Sequence, residues 1–347
     1  MKALICGLGS IGKRHLGNML KILDPHHVRG VEPNPAISAA CRQAYPVCIH
    51  EILAEGLQWE PDLVMICTPN HLHVSQSMEV LSTSSAALFI EKPVGRNVAE
   101  VLPLHDKIEE TGRFAWVACN LRYHPGVRPL RALVERGDLG RIFYIRSHFA
   151  HYLPYWRPDQ DYRKTYSAQA AMGGGILLDD IHEFDLALLM AGPPLRVACM
   201  AQNTGSLETD VEETAGIICE HLGGTMSEIH MDYLRKDKSR GMEVVGEGGT
   251  LTWQSWGKNP EAVLVTRFDA VTRRREILFE GHAEDPNIAY EMQRDDLMDC
   301  LKDGAASKSN VRHAMDALLL VEGSKESSRS GQFVSIAGRA ENRGTIG

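Results

Sequence analysis

Short apolar runs alternate with helical patterns over the first 120 residues. KALIC (2–6) predicts a buried strand, and KRHLGNMLKIL after it predicts a helix. HVRGVEP predicts a second strand, and 34–47 an alanine-rich helix. DLVMICTP (62–69), AALFIEKPVG (86–95) and FAWVACN (114–120) are further buried strands, with helices over HVSQSMEVLSTS and roughly 97–111 between them. Strands alternating with helices predict a doubly wound α/β fold, a parallel sheet with right-handed crossovers. The pattern changes after Asn120. LRYHPGVRPLRALVERGDLG is a Pro/Gly-broken connection with one amphipathic helix, and IFYIRSHFAHYL (142–153) is the first strand with clear alternation. From about 195 to 280 short alternating strands (RVACMAQN, TAGIICEHL, GTMSEIHMDY, RGMEVVGEGG, TLTWQSW, AVLVTRF, REILFE) predict one large antiparallel or mixed sheet with a helix on one face. Two helices follow, AYEMQRDDLMDCLKDG and NVRHAMDALLLVEGSKESSRSG. The pattern divides the chain into a domain over 1–120, a second α/β domain over 121–340 and a flexible tail over 341–347.

The first strand and helix are joined by Gly7-Leu8-Gly9-Ser10-Ile11-Gly12, a G-x-G-x-x-G in the strand–turn–helix context that dinucleotide binding requires. Gly7 makes the tight turn, Gly9 lets a pyrophosphate approach, and Gly12 lets helix and strand pack. Ser10 and Ile11 fall at the helix start, which faces the phosphates. Glu32 ends the second strand, twenty residues past Gly12. It can accept hydrogen bonds from the adenosine ribose hydroxyls and disfavours a 2′-phosphate, so NAD is expected over NADP. A turn residue before Pro33 is the plainer reading of Glu32.

Ligands of such sheets sit at the carboxyl ends of the strands. Thr68, Pro69, Glu91, Lys92 and Asn120 fall there, and Thr68, Pro69 and His73 are expected on the nicotinamide side. Lys92 could offer an ammonium to a substrate hydroxyl and stabilise the developing alkoxide; a rim lysine paired with Glu91 would give the same pattern. The stretch GGGILLDDIHEFD (173–185) gathers Asp179, Asp180, His182, Glu183 and Asp185. On one helix Asp179 lies beside His182, and His182 beside Asp185. A carboxylate next to an imidazole suits a general acid/base, whereas acids at a solvated helix N-terminus are explained by the dipole alone. Between these landmarks lies an aromatic, charged segment, PYWRPDQDYRKTYSAQAAM, with the composition of a polar ligand site on a loop. Arg122, Tyr123, His124, Tyr152, Trp156, Arg157, Tyr162, Arg163 and Tyr166 are the candidate substrate contacts, some of which only pack the loop. The arginines suit an anionic substrate.

Composition narrows this further. The net charge of −8 offers no nucleic-acid footprint. No run of about 18 apolar residues exists to span a membrane, and MKALICGLG does not read as a signal peptide. The eight cysteines form no C-x-x-C and read as buried hydrophobes in a reducing compartment, the cytoplasm. The 15 histidines show no metal-ligand spacing, so no metal is expected.

GLGSIGKRH (7–15), CTPNHLH (67–73), EKP (91–93), NLRYHP (120–125), GGG…D…H (173–182) and AYEM (289–292) occur in an order that resembles the Gfo/Idh/MocA oxidoreductases, named for glucose–fructose oxidoreductase and inositol dehydrogenase. The resemblance covers most of the chain. It implies an N-terminal Rossmann domain, a C-terminal α/β domain on a large, mostly antiparallel sheet, and a homodimer or homotetramer made through that sheet. It also implies a nicotinamide cofactor and a sugar, polyol or related carbonyl substrate. Position by position, Lys92 matches the family's catalytic lysine and His182 its acid/base histidine, with Asp179 as partner. Many members carry the aspartate four residues before the histidine; here that position is Leu178 and the aspartate stands three before. YLPYWRPDQDYRKTYSA ahead of GGGILLDDIHEFD looks like a bacterial subgroup associated with nucleotide-activated or acetamido sugars. The expected activity is NAD-dependent hydride transfer at a hydroxyl or carbonyl of a sugar derivative. A same-scaffold enzyme with tightly bound, internally recycled NAD would use the same residues. A non-catalytic NAD-binding regulator is the third reading, and the presence of both Lys92 and His182 argues against it.

Overall fold

A computed structural model describes residues 1–258, 260–337 and 339. The tail expected over 341–347 lies outside the described residues. The chain forms two compact units: Met1–Asn120 with Asn287–Met315, and Leu121–Pro286 with the described residues from Asp316 onward.

The first unit runs β1 (Ala3–Cys6), α1 (Ser10–Leu20), β2 (Val28–Val31), α2 (Pro35–Ala44), β3 (Cys48–His50), α3 (Leu53–Leu57), β4 (Leu63–Ile66), α4 (His73–Thr83), β5 (Ala87–Ile90), α5 (Val98–Thr111) and β6 (Ala115–Val117). Its six strands are parallel in the order β3-β2-β1-β4-β5-β6. Helices cover both faces of such a sheet, so β1 and β4 are buried at every position and read as unbroken apolar runs. Sequence also sets the ends of its helices. Asn34 caps α2 by accepting from the N–H groups of Ala36 (3.0 Å) and Ile37 (3.2 Å), with Pro35 at the first helical position. The strand order reverses between β1 and β4, which places the crevice of the sheet beside Gly7 and Cys67.

The second unit runs α6 (Val127–Glu135), β7 (Ile142–Ala150), α7 (Ile176–Asp179), α8 (His182–Ala191), β8 (Pro194–Gln202), β9 (Thr214–His221), β10 (Met226–Asp232), β11 (Ser239–Gly246), β12 (Gly249–Trp256), β13 (Glu261–Asp269) and β14 (Arg274–Ala283). Then come α9 (Asn287–Asp303), which belongs to the first unit, α10 (Val311–Ser330) and β15 (Val334–Ser335). The second sheet has nine strands in the order β14-β13-β12-β11-β7-β10-β9-β8-β15. All its pairs are antiparallel except β7 with β10. Ile145, Met242, Val244, Leu251, Trp253, Val263 and Val265 face a core closed by Leu130 and Leu133 of α6 and Leu186 and Met190 of α8. Alternate positions face the other way and stay open, among them Met200, Ile218 and Met226.

Three expectations need correction. Residues 287–315 group with the first unit, not with a domain over 121–340. Asn18 of α1 donates to the Asn287 side chain (3.1 Å), Arg294 donates to the Asn18 carbonyl (2.8 Å), and Tyr290 packs edge-on against His15. An apolar stripe shows that a helix has a buried face, not which element covers it. The helix expected from Gly173 is two helices broken at Asp180, whose φ of −101° and ψ of 43° leave the helical region. The aromatic segment is not bare loop but a string of short 3-10 turns at Leu153–Tyr155, Tyr162–Lys164, Tyr166–Ala168 and Ala170–Met172.

Candidate active site

In the first unit the glycine loop is built as a cradle. Gly7 has φ +86°, and a side chain there would meet Thr68. A Cβ on Gly12 would overlap the Gly7 carbonyl oxygen, whereas one on Gly9 would meet nothing within 4 Å. Gly9 is thus the open side of the loop, and Gly12 the side closed by packing. No side chain caps α1, which begins at Ser10 and continues through Ile11. Its first N–H groups therefore have no competing side-chain acceptor. Glu32, 8% exposed, accepts from the Leu8 N–H (2.8 Å) and the Asn34 N–H (2.9 Å). A carboxylate has about four acceptor sites, so Glu32 is pinned against the loop with capacity left for two ribose hydroxyls. These residues fit a dinucleotide.

At the end of β5, Glu91 is buried and bonded to His15, with Oε1 2.7 Å from Nε2. Its other oxygen accepts the Lys92 N–H at 3.2 Å. Lys92 itself is half-buried, and the Lys92–Pro93 peptide is cis. Thr68 donates its hydroxyl to Gln76 (2.7 Å), and Pro69 leads into a 3-10 turn at Asn70–Leu72. His73 departs from expectation. It is 1% exposed, with Nδ1 2.8 Å from the Pro93 carbonyl and Nε2 2.7 Å from the Thr68 carbonyl. Both nitrogens are engaged with backbone, so the ring is an internal clasp between Thr68 and Pro93.

In the second unit Asp179 ends α7 and His182 begins α8, both buried. The Asp179 carboxylate accepts the hydroxyls of Tyr166 and of Tyr233, the latter at 3.1 Å. Burial, then Asp179, pushes the Tyr233 phenol well above its usual range. The neighbouring acids have separate partners. Asp180 pairs with Arg240, whose Nε is also 2.9 Å from Glu183. Ser147 donates to Glu183, and the Arg240 guanidinium lies 4.1 Å above the Phe149 ring. Burial pushes the Glu183 carboxyl up to about 7, opposed by Arg240 and reinforced by Asp180. Asp185, expected beside His182, is the partner of Arg122, whose Nε donates at 2.8 Å and whose Nη2 donates to the other oxygen.

Arg122, expected as a substrate contact, has its fork buried on Asp185. His124 is also interior. Its Nδ1 accepts from the Gly126 N–H (3.1 Å), its ring lies against Trp253, and burial pushes its pKa down to about 4. Tyr123 is buried too. Trp156 donates to the His151 carbonyl (3.0 Å) and packs on Phe149 and Tyr233, so it holds the segment together. Tyr162 accepts from the Glu208 N–H (3.2 Å), and Arg163 pairs with Asp161 and Glu208 at the surface. Tyr166 sits on Asp179. Arg157 is exposed, and Tyr152 is half-buried edge-on to Tyr155, with Lys236 near its face. The sequence reading missed His15, Tyr233, Arg240 and Tyr290. His15 stood three residues past Gly12 in GKRH, and Tyr233 ended the strand GTMSEIHMDY; neither position shows its partner. No group of three or more His, Cys, Asp or Glu able to hold a metal occurs among the described residues. Nor is any described helix long and apolar enough to cross a membrane.

Residues 1–119 match the oxidoreductase family with an NAD-binding Rossmann fold, and residues 127–252 match the Gfo/Idh/MocA C-terminal domain. The chain is similar to inositol 2-dehydrogenase of Rhizobium meliloti (strain 1021), 28% identical over 203 residues and 57% of each protein. It is 30% identical over 137 residues to levoglucosan dehydrogenase of Pseudarthrobacter phenanthrenivorans, 38% of this chain and 34% of that protein. These matches span from a third to little over half of the relatives' lengths. The WlbA dehydrogenase of Bordetella pertussis, solved with NADH and UDP-GlcNAcA, shares the fold with a TM-score of 0.77. It is 20% identical, over 96% of this chain and 98% of that one. With both of its domains matched, and with the parallel sheet and the nine-stranded sheet that such domains carry, the chain belongs to the Gfo/Idh/MocA oxidoreductase family.

Proposed function

We propose that this protein is an NAD-dependent dehydrogenase or reductase that acts on a hydroxyl or carbonyl of a sugar or sugar derivative. The observation that carries the reading is a lysine at the carboxyl end of β5 in the same parallel sheet whose glycine loop and Glu32 form a dinucleotide cradle. When bound, NAD(H) supplies the hydride acceptor or donor. Gly7, Gly9, Ser10, Ile11 and Gly12 hold the pyrophosphate, and Thr68 and Pro69 line the nicotinamide end. Glu32 accepts from the ribose hydroxyls and repels a 2′-phosphate, which favours NAD over NADP. Lys92 donates to the reacting oxygen and stabilises negative charge on it. His182 takes the hydroxyl proton in oxidation and returns it in reduction. Asp179, fixed by Tyr166 and Tyr233, orients the His182 ring.

Arg157 and Arg163 are exposed and Tyr152 is half-buried, and these are the candidates for substrate contact with most open surface. An anionic sugar nucleotide suits Arg157, and WlbA was solved with such a compound. The open face of the nine-stranded sheet, with Met200, Ile218 and Met226 exposed, is proposed to join two or four copies of the chain. Burial of six of the eight cysteines suits a cytoplasmic protein.

The test begins with mass spectrometry of nucleotide released from the purified protein, then titration with NADH and NADPH. Turnover of inositols, levoglucosan and UDP-N-acetylglucosaminuronate is then read at the nicotinamide absorbance. Preferential NADH binding and oxidation of one of these compounds support the reading. Stoichiometric NAD(H) carried through purification favours an internally recycled cofactor. Binding of neither nucleotide overturns the reading.

A further inference from the structure

Lys92 is bracketed by two residues whose bonds lead to buried histidines on different helices. Before it, Glu91 is bonded to His15 of α1 at 2.7 Å, and the same carboxylate accepts the Lys92 N–H. The His15 ring is itself fixed, edge-on to Phe89 at 5.0 Å and to Tyr290 of α9 at 5.9 Å. After it, the Pro93 carbonyl is bonded to His73, the first residue of α4, at 2.8 Å. The other His73 nitrogen is 2.7 Å from the carbonyl of Thr68, the residue that packs over Gly7. His15 and His73 are 2% and 1% exposed, so both rings are interior. A surface loop carrying a lysine needs no such fastening, whereas a side chain that must meet a reacting oxygen loses effectiveness when displaced by about 1 Å.

We propose that His15 and His73 are positioning residues for Lys92, setting the backbone before and after it and linking it through Thr68 to the glycine loop. This rests on Lys92 having the role proposed above, but the placement itself can be read without turnover.

The experiment is performed on the full chain. Lysines are reductively methylated with 13C-formaldehyde, and the Lys92 resonance is assigned by its loss in Lys92→Arg. His73→Leu and His15→Leu remove the clasps. His73→Asn and His15→Gln keep one donor each and are the milder variants should either leucine variant fail to fold. Removing a clasp should move the Lys92 resonance toward the envelope of exposed lysines, with His15→Gln restoring it most. Tyr233, remote in sequence and in the other unit, is the structural control: Tyr233→Phe should leave the Lys92 resonance in place. With a turned-over substrate, kcat should fall roughly 10- to 100-fold in the leucine variants. KM for NAD and the NADH dissociation constant should stay within about threefold. A Lys92 resonance unmoved in folded clasp variants overturns the proposal, as does a uniform loss of NADH binding without a kcat effect. If the wild type turns over nothing, the proposed function fails while the resonance still decides the positioning.

Discussion

Glu183 illustrates what a single buried carboxyl can do to a protein. It is fully buried between Ser147 and Arg240, and its pKa is pushed up from 4.5 to about 7, chiefly by burial. Below about 4.5 folded and unfolded chains both hold this proton. Between 4.5 and 7 the unfolded chain releases it first, so stability falls as pH rises through that window. Glu183→Gln should flatten this fall, so that the variant loses less stability than the wild type between about pH 4.5 and 8; denaturant melts across that range measure it. His124 acts in the opposite sense. Burial pushes it down to about 4, so its contribution is present above 6.5 and is lost as pH falls toward 4. His124→Asn should reduce the acid lability in that range, checked by the same melts. At this scale the sequence was only partly legible. The acids of GGGILLDDIHEFD were visible as a group, but their partners, Tyr166 and Tyr233, Arg240, Ser147 and Arg122, come from elements distant in the chain. Arg122 looked like an anion binder because charge and composition say nothing of which arginine already has its carboxylate.

Among the elements, the turn between β1 and α1 separates two roles that G-x-G-x-x-G conflates. Gly12→Ala forces a methyl into the Gly7 carbonyl and should destabilise the fold by roughly 2–4 kcal/mol. Gly9→Ala meets no atom within 4 Å and should leave the melt nearly unchanged while weakening NADH binding. Paired melting and NADH titrations separate the two; equal melts for both variants would contradict the packing. At the end of β2, Glu32→Gly should relax the preference for NADH over NADPH by tenfold or more, an order-of-magnitude expectation from the lost ribose contact and charge repulsion. The elements themselves were largely readable. β1 and β4 announce themselves by unbroken apolar runs, and β9 and β12 by strict alternation. The break at Asp180 was not readable, because LLDDIHEFDL keeps an apolar pattern that a continuous helix would share.

On the scale of the whole molecule, the two fold classes followed from the change of period after Asn120, but the ownership of α9 did not. The exposed side of the second sheet carries a further prediction: Ile218→Glu should lower the sedimentation coefficient without lowering the melting temperature, if that face joins copies of the chain. The segment from Asn287 to Met315 also sets a schedule. A ribosome delivers residues in order, at roughly 5–20 per second. The helix that covers α1 and the His15 ring therefore emerges some 10–30 s after the last strand of its own sheet, an interval fixed by the 169 residues between Val117 and Asn287. Through that interval the nascent parallel sheet is an unfinished surface, open to chaperones and proteases. A fragment ending at Asn120 should be captured in that same state, however complete its strand order.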